Sequence, residues 1–245
     1  MKKKKLSSIV LAIIALAIYI GSNYQDDINQ FLSELNIIQG TEAYEERSYN
    51  LDEIPEYDGI SEYVIINNNE PFFEEYEINT KSFEKYSDLD SLGRCGTAYA
   101  NISKKLMPIE ERESIGSVKP SGWQTVKYDI VDGKYLYNRC HLIGYQLTGE
   151  NANKKNLITC TRQMNVGTML DFENEVADYV KRTNNHVLYR ATPIYEDNNL
   201  LASGVLLEGL SVEDNGKGIK FNVYLYNIQD GIEIDYKTGN SKIKK

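Results

Sequence analysis

Hydrophobic positions keep helical spacing over only one long stretch of this 245-residue chain. Between residues 164 and 182, Met169, Phe172, Val176 and Tyr179 with Val180 fall three and four apart. That spacing lines them up as one apolar stripe on an α-helix, which Asn184-Asn185 ends. Downstream the pattern becomes β-like, over residues 186–195, 200–210, 219–228 and 231–236. Glu196-Asp197-Asn198-Asn199 and Asp214-Asn215-Gly216-Lys217-Gly218 are among the breaks between them. Strands at that spacing predict an antiparallel meander with the helix packed on one face. Upstream, Asp132-Gly133 between residues 126–131 and 135–137 is a hairpin signal. Lys119-Pro120-Ser121-Gly122 reads as a turn, and the small-residue segment 92–100 as a close-packed strand. The class this predicts is α+β.

The first twenty residues follow a different pattern. Lys2 to Lys5 precede an apolar run over residues 6–20 that only Ser7 and Ser8 interrupt. A run of about fifteen fits a secretory signal and is slightly short of the ~17 to 25 residues of a spanning helix. Ala15-Leu16-Ala17 has the letters of a cleavage site, but Ile18-Tyr19-Ile20 carries the apolar run past it. Residues 1–21 therefore read as an uncleaved membrane anchor with its lysines inside and the domain outside, a cleaved signal being the alternative. Residues 22–82, acidic and Asn-rich with Pro55 and Pro71, read as a stalk or irregular arm containing a short strand-like piece, Tyr63-Val64-Ile65-Ile66. The compact domain is expected over 83–240.

Composition adds constraints. Hydrophobic residues make up 41% of the chain, enough for an ordinary core, and 19 tyrosines against six phenylalanines suit half-buried aromatic positions with a polar tip. A net charge of −9 weighs against a nucleic-acid partner, whose backbone is bound mostly by Lys and Arg. The charge is uneven, however. Residues 42–90 carry 15 acidic and 3 basic side chains, whereas residues 94–190 carry 14 basic and 10 acidic. Local field counts for more than the total. Three cysteines, Cys95, Cys140 and Cys160, are too few for a disulfide scaffold; one bridge can form, and spacing does not say between which two.

The candidate chemistry lies in Asn138-Arg139-Cys140-His141-Leu142-Ile143-Gly144-Tyr145, which holds one of only two histidines. Histidine moves protons near neutral pH, and arginine grips phosphate through two parallel hydrogen bonds. Asn156, Asn165 and Glu173 follow at spacings that suggest a one-metal phosphodiesterase centre. In that reading His141 is the general base and Arg139 holds the phosphate. Asn156 orients substrate or water. Asn165 binds Mg²⁺ directly, with Mn²⁺ as a substitute, and Glu173 binds it through water, since magnesium keeps much of its hydration shell. On one continuous helix Asn165 and Glu173 stand about 80° apart. Each residue also has a plainer reading: His141 as a structural strand residue, Asn165 as a helix cap, Asn156 as a turn residue, Glu173 as a solvated helix position and Arg139 as half of an ion pair. The catalytic reading rests on their joint occurrence.

These segments, with Asn153-Lys154-Lys155-Asn156-Leu157, Met164-Asn165 and Phe172-Glu173, resemble the DNA/RNA non-specific endonucleases of the ββα-metal superfamily, in its secreted or membrane-anchored bacterial branch. The resemblance runs from about Phe83 to Thr238. The family's Asp-Arg-Gly-His motif falls on Asn138 to His141, with Asn138 and Cys140 in place of the aspartate and glycine. The substitution leaves open what fixes the imidazole tautomer. The resemblance implies an antiparallel sheet carrying the metal-site helix, and Mg²⁺-dependent, sequence-non-specific hydrolysis of DNA and RNA to 5′-phosphate products. It also implies a metal at Asn165, an active-site asparagine at Asn156 and a metal-water glutamate at Glu173. The rival from another class is a non-catalytic surface protein that binds DNA for uptake or adhesion. A thiol nucleophile is disfavoured because Cys140 and His141 point to opposite faces of a strand. A zinc site is disfavoured because no C-x₂-C spacing exists.

Overall fold

Ten strands and three α-helices run through residues 54–244, the part of the chain that this computed structural model describes. In order they are β1 (Tyr63–Ile65), β2 (Phe83–Tyr86), β3 (Ala98–Ile102), β4 (Tyr137–His141), α1 (Tyr145–Thr148), β5 (Leu157–Thr161), α2 (Arg162–Val166), α3 (Thr168–Thr183), β6 (Val187–Ile194), β7 (Gly204–Ser211), β8 (Lys220–Tyr226), β9 (Ile232–Ile234) and β10 (Ser241–Ile243). All lie in one unit, Asn50–Lys245. The apolar run at residues 6–20, and with it the anchor reading, lies outside the described residues. Among the described residues no helix is long and apolar enough to cross a membrane.

The main sheet has six strands in the order β1-β8-β7-β6-β3-β2, and each neighbouring pair is antiparallel. β6, β7 and β8 are three strands of the expected meander, whereas the fourth, expected over 231–236, is β9 and pairs with β10 in a separate two-stranded sheet. β6 to β8 are buried along nearly their whole length, because both faces of the sheet are covered. On one face Tyr189, Ala191, Leu207, Phe221 and Val223 meet Met169, Val176, Ala177 and Val180 of α3, together with Cys140 and Ile158 of the β4–β5 pair. On the other, Tyr99 and Leu188 pack against Phe73 and Ile78, which precede β2. Burial on both faces explains why these strands read as near-continuous apolar runs rather than strict alternation.

Residues 54–82 are therefore not a stalk. β1 pairs with β8 through Tyr63↔Leu225, Val64↔Tyr224 and Ile65↔Val223. The segment after it is held by a buried ion pair. Arg190 of β6 lies opposite Glu208 of β7 and donates to its carboxylate at 2.6 and 2.8 Å. Arg190 also donates to the Phe72 carbonyl at 3.1 Å, while the Phe72 N–H donates to Glu208 at 2.7 Å. The guanidinium stacks over Phe73, 4.7 Å from its centroid. The domain thus begins well before Phe83.

Two local expectations change. The Asp132-Gly133 turn exists, with Gly133 at φ 65° and Lys134 at φ 69°, but its flanks form only the single bridge Lys127↔Tyr135. Tyr137 belongs instead to β4, paired with Thr161 of β5. The helix expected over 164–182 is two helices. Gly167, at φ −98° and ψ −115°, separates α2 from α3. Its N–H donates to the Gln163 carbonyl at 3.0 Å, and a Cβ there would approach that oxygen to 2.7 Å.

Candidate active site

β4, β5 and the helices after them form a strand–strand–helix unit on the α3 face of the main sheet. Alternation along β4 puts Arg139 and His141 on one side and Cys140 on the other. Cys140 is fully buried in the core and forms a disulfide with Cys160 of β5, their Cα atoms 5.8 Å apart. Cys95 is the remaining thiol. Burial pushes its pKa up to about 12, which removes it as a nucleophile.

His141 is buried. Its Nε2 lies 2.8 Å from the backbone oxygen of Asn151, and its Nδ1 lies 3.4 Å from Nη2 of Arg112. A carbonyl only accepts and a guanidinium only donates. The neutral ring therefore carries its proton on Nε2 and presents the Nδ1 lone pair to Arg112. Burial, with the Arg112 charge acting in the same direction, pushes the pKa down to about 4, although the Asn151 carbonyl favours the charged form. The Asn151 backbone does the tautomer-fixing that the Asn138 and Cys140 substitutions left unassigned.

Arg112 faces a second titratable group. Glu173, on α3, is buried, and that burial pushes its pKa up to about 8 against the lowering effects of the Gly144 N–H and the Arg112 charge. Arg112 sits in Glu110-Glu111-Arg112-Glu113, and the carbonyl of Glu110 accepts from the Tyr145 hydroxyl at 2.8 Å. Glu110, Glu111, Glu113, Glu150 and Asn151 help to line a polar cleft of about 500 Å³. The structure thus brings His141, Arg112 and Glu173 together beside an acidic-rimmed cleft.

Asn165 lies on α2, which packs against β4, β5 and α3. It does not cap a helix. The α2 cap is Thr161, whose Oγ1 accepts from the Met164 N–H at 3.1 Å, and α3 starts after Gly167. Because of that break, the 80° angle expected between Asn165 and Glu173 on one helix does not apply. Among the described residues, the Asn165 side chain makes no hydrogen bond.

Two expected roles do not fit the geometry. Asn156 is fully buried, with Oδ1 accepting from Ile143 N–H at 2.9 Å and Nδ2 donating to the Ile143 carbonyl at 3.0 Å. It holds backbone, not substrate. Arg139 donates from Nε to the Val118 carbonyl and from Nη2 to the Gly116 carbonyl at 2.8 Å, with its plane 3.9 Å from the Trp123 ring centroid. It fastens the 116–123 loop to β4. The guanidinium beside the imidazole is that of Arg112, which sequence reasoning missed because an arginine among three glutamates reads as a solvated charge cluster. Asn151 was missed because its backbone, not its side chain, makes the contact.

A divalent cation suits this donor set. The available groups are oxygens, the Asn165 carboxamide and the Glu173 carboxylate, which favour a hard ion. Among the described residues no cluster of three His, Cys, Asp or Glu forms a closed cage. The Glu173 carboxylate is also seated against Gly144, where a Cβ would lie 2.4 Å from Oε2. An acidic oxygen kept in so confined a place suits a role through water.

A deoxyribonuclease from Streptococcus dysgalactiae subsp. equisimilis is 34% identical in a match that covers 63% of this chain. The match spans 59% of that relative's length. Among solved structures, NucA from Streptococcus agalactiae with magnesium ion bound superposes with a TM-score of 0.65 at 26% identity, over 74% of this chain and 86% of that one. The Sda1 nuclease with bound zinc ion gives 0.62 at 26% identity, over 80% and 100%. Residues 74–212 match the profile of the DNA/RNA non-specific endonucleases. With a strand–strand–helix unit that gathers a neutral histidine, an arginine and a buried glutamate, the chain belongs to the DNA/RNA non-specific endonuclease family.

Proposed function

We propose that this chain is a metal-dependent endonuclease that cuts DNA, and RNA, with little sequence preference and leaves 5′-phosphate ends. The observation that carries the reading is the state of His141: a buried neutral imidazole, its Nε2 proton tied to the Asn151 carbonyl and its Nδ1 lone pair presented beside a cation. A protein that only binds DNA has no use for such a base.

The Nδ1 lone pair accepts a proton from the attacking water. At 3.4 Å the Arg112–Nδ1 contact is at the long limit of a hydrogen bond, so a phosphate oxygen competes well for the guanidinium. Arg112 then neutralises charge on the phosphate while Nδ1 is released to act as base. A bound divalent ion, Mg²⁺ or Mn²⁺, held directly by Asn165 and through water by Glu173, would polarise the phosphate and stabilise the departing 3′ oxygen. Asn156 and Arg139 hold the backbone that carries this group.

The test is full-length protein on plasmid DNA and on RNA, with Mg²⁺, Mn²⁺ or EDTA, followed by end-labelling. Nicking that EDTA abolishes, with 5′-phosphate ends, is expected; 3′-phosphate ends would reverse the leaving-group assignment. His141→Ala should lower turnover by roughly 10² to 10⁴ with DNA affinity nearly intact. Binding without cleavage by the wild type would make this a DNA-binding protein instead. We propose further that residues 6–21 hold the enzyme on the outer face of the membrane. Cell fractionation with N-terminal sequencing tests this, and a mature chain in the medium starting between residues 18 and 25 would establish secretion.

A further inference from the structure

Gly144 has an ordinary backbone, φ −58° and ψ 145°, which any L-residue adopts. Conformation therefore does not require glycine here. Space does. A Cβ at this position would lie 2.4 Å from Oε2, 2.6 Å from Cδ and 2.7 Å from Oε1 of Glu173, far inside the ~3.5 to 4.0 Å of a normal carbon contact. The carboxylate occupies the volume of the side chain that Gly144 lacks, and the Gly144 N–H beside it favours its charged form.

That N–H belongs to the Ile143–Gly144 peptide, whose carbonyl accepts from Asn156 Nδ2 at 3.0 Å. Asn156 thus holds the carbonyl end of the peptide group against which Glu173 is seated. Asn156 Oδ1 also accepts the preceding N–H, that of Ile143, at 2.9 Å, and its backbone oxygen accepts from Leu142 N–H at 2.9 Å. The peptide is gripped on one side by a fully buried amide and offers its bare face to the carboxylate.

We infer that Gly144 is a positioning residue for Glu173, with Asn156 fixing the peptide on which the carboxylate is seated. The inference rests on the reading of Glu173 as a group that acts at the metal site. Gly144→Ala forces the carboxylate off its seat by an ångström or more, and displacement on that scale costs about 10²-fold in turnover. The KM for DNA changes little, because the carboxylate does not hold the substrate.

The test compares wild type, Gly144→Ala, Glu173→Asp, Glu173→Gln and the double variant Gly144→Ala/Glu173→Asp, by kcat, KM and melting temperature with Mg²⁺ present and absent. Aspartate is one methylene shorter and withdraws from the added methyl. Gly144→Ala should therefore cost about 10²-fold in the glutamate background and nearly nothing in the aspartate background. Equal losses in both backgrounds, or wild-type turnover of Gly144→Ala, overturn the inference. If Gly144→Ala does not fold, recovery of folding in the double variant supports the seat, and failure to recover counts against it. Should Glu173→Gln keep full turnover, the catalytic reading of Glu173 falls. The melting temperatures of the two single variants and the double then decide the positioning claim: non-additive shifts support it, and additive shifts overturn it.

Discussion

The proton affinity of His141 permits a sharp test, because its pKa is pushed from 6.5 down to about 4. Each unit is about 1.4 kcal/mol, so the site disfavours the imidazolium by roughly 3 kcal/mol. At pH 5.5 an ordinary imidazole is only about one-tenth neutral, whereas His141 is almost wholly so. Burial is the larger cause and Arg112 the smaller. Arg112→Gln should therefore raise the midpoint without returning it to 6.5. Between about pH 4 and 6.5 the unfolded chain binds the extra proton, so this residue's contribution to stability falls as the solution is acidified through that window. Glu173 acts oppositely. Its folded value of about 8 lies above the ordinary 4.5, so its contribution is fully present below pH 4.5 and is lost as pH rises through about 8. From pH 4.5 to 6.5 the two slopes oppose each other, and a melting curve reports neither cleanly. The assay is instead NMR titration of the ring protons in metal-free protein. With two histidines in the sequence, the His141→Ala spectrum identifies the resonance directly. A wild-type midpoint near 6.5, or full return to 6.5 in Arg112→Gln, would refute the assignment of burial as the dominant cause.

Three further outcomes follow from the same geometry. Asn165→Ala should leave the metal-free melting temperature near wild type and abolish any upward shift that the wild type shows with Mg²⁺, whereas Thr161→Ala should cost about 1 kcal/mol as the true α2 cap; the reverse pattern would make Asn165 structural. Glu208→Ala removes the carboxylate that Arg190 donates to at 2.6 and 2.8 Å and leaves it only the longer ion pair to Glu77 at 3.8 Å, so it should cost about 3 kcal/mol, or roughly 6 to 12 °C in melting temperature; a loss below about 1 kcal/mol by urea denaturation contradicts this account. The Cys140–Cys160 bridge closes a sequence separation of 20 residues, so the double serine variant should lose about 3 kcal/mol. Reducing the wild type during denaturation should reproduce that loss, and equal stability with and without reductant would rule the bridge out.

Periodicity made the central fold legible. The stripe Met169, Val176, Tyr179 and Val180 is buried as the spacing required, and β6 to β8 fall where the apolar runs are. The break at Gly167 was hidden because Met164, before it, is also buried, so the apolar stripe continues across the interruption. The 54–82 segment was misread because it is attached by Arg190 and Glu208, more than a hundred residues downstream, and by a three-residue strand too short to show alternation. In the candidate site the motif letters located His141 and Glu173. The roles expected of Arg139 and Asn156 did not carry over, because both side chains bond to backbone carbonyls or N–H groups that no one-dimensional pattern displays. Gly144 stood in the motif throughout, but only its distance to Glu173 gives it meaning.

The pairing of β1 with β8 also bears on where this chain tolerates being cut. A fragment beginning at Phe83 would strip β8 of its neighbour and leave the main-chain groups that met Tyr63–Ile65 facing solvent. An open strand of that kind templates pairing with another molecule. In the intact chain the outermost strand is three residues long and follows Glu62, whose carbonyl accepts the Tyr226 N–H at 3.0 Å. The short, acid-flanked strand works as an end-stop on the sheet. Proteolysis between residues 66 and 82 would therefore show first as self-association of the domain.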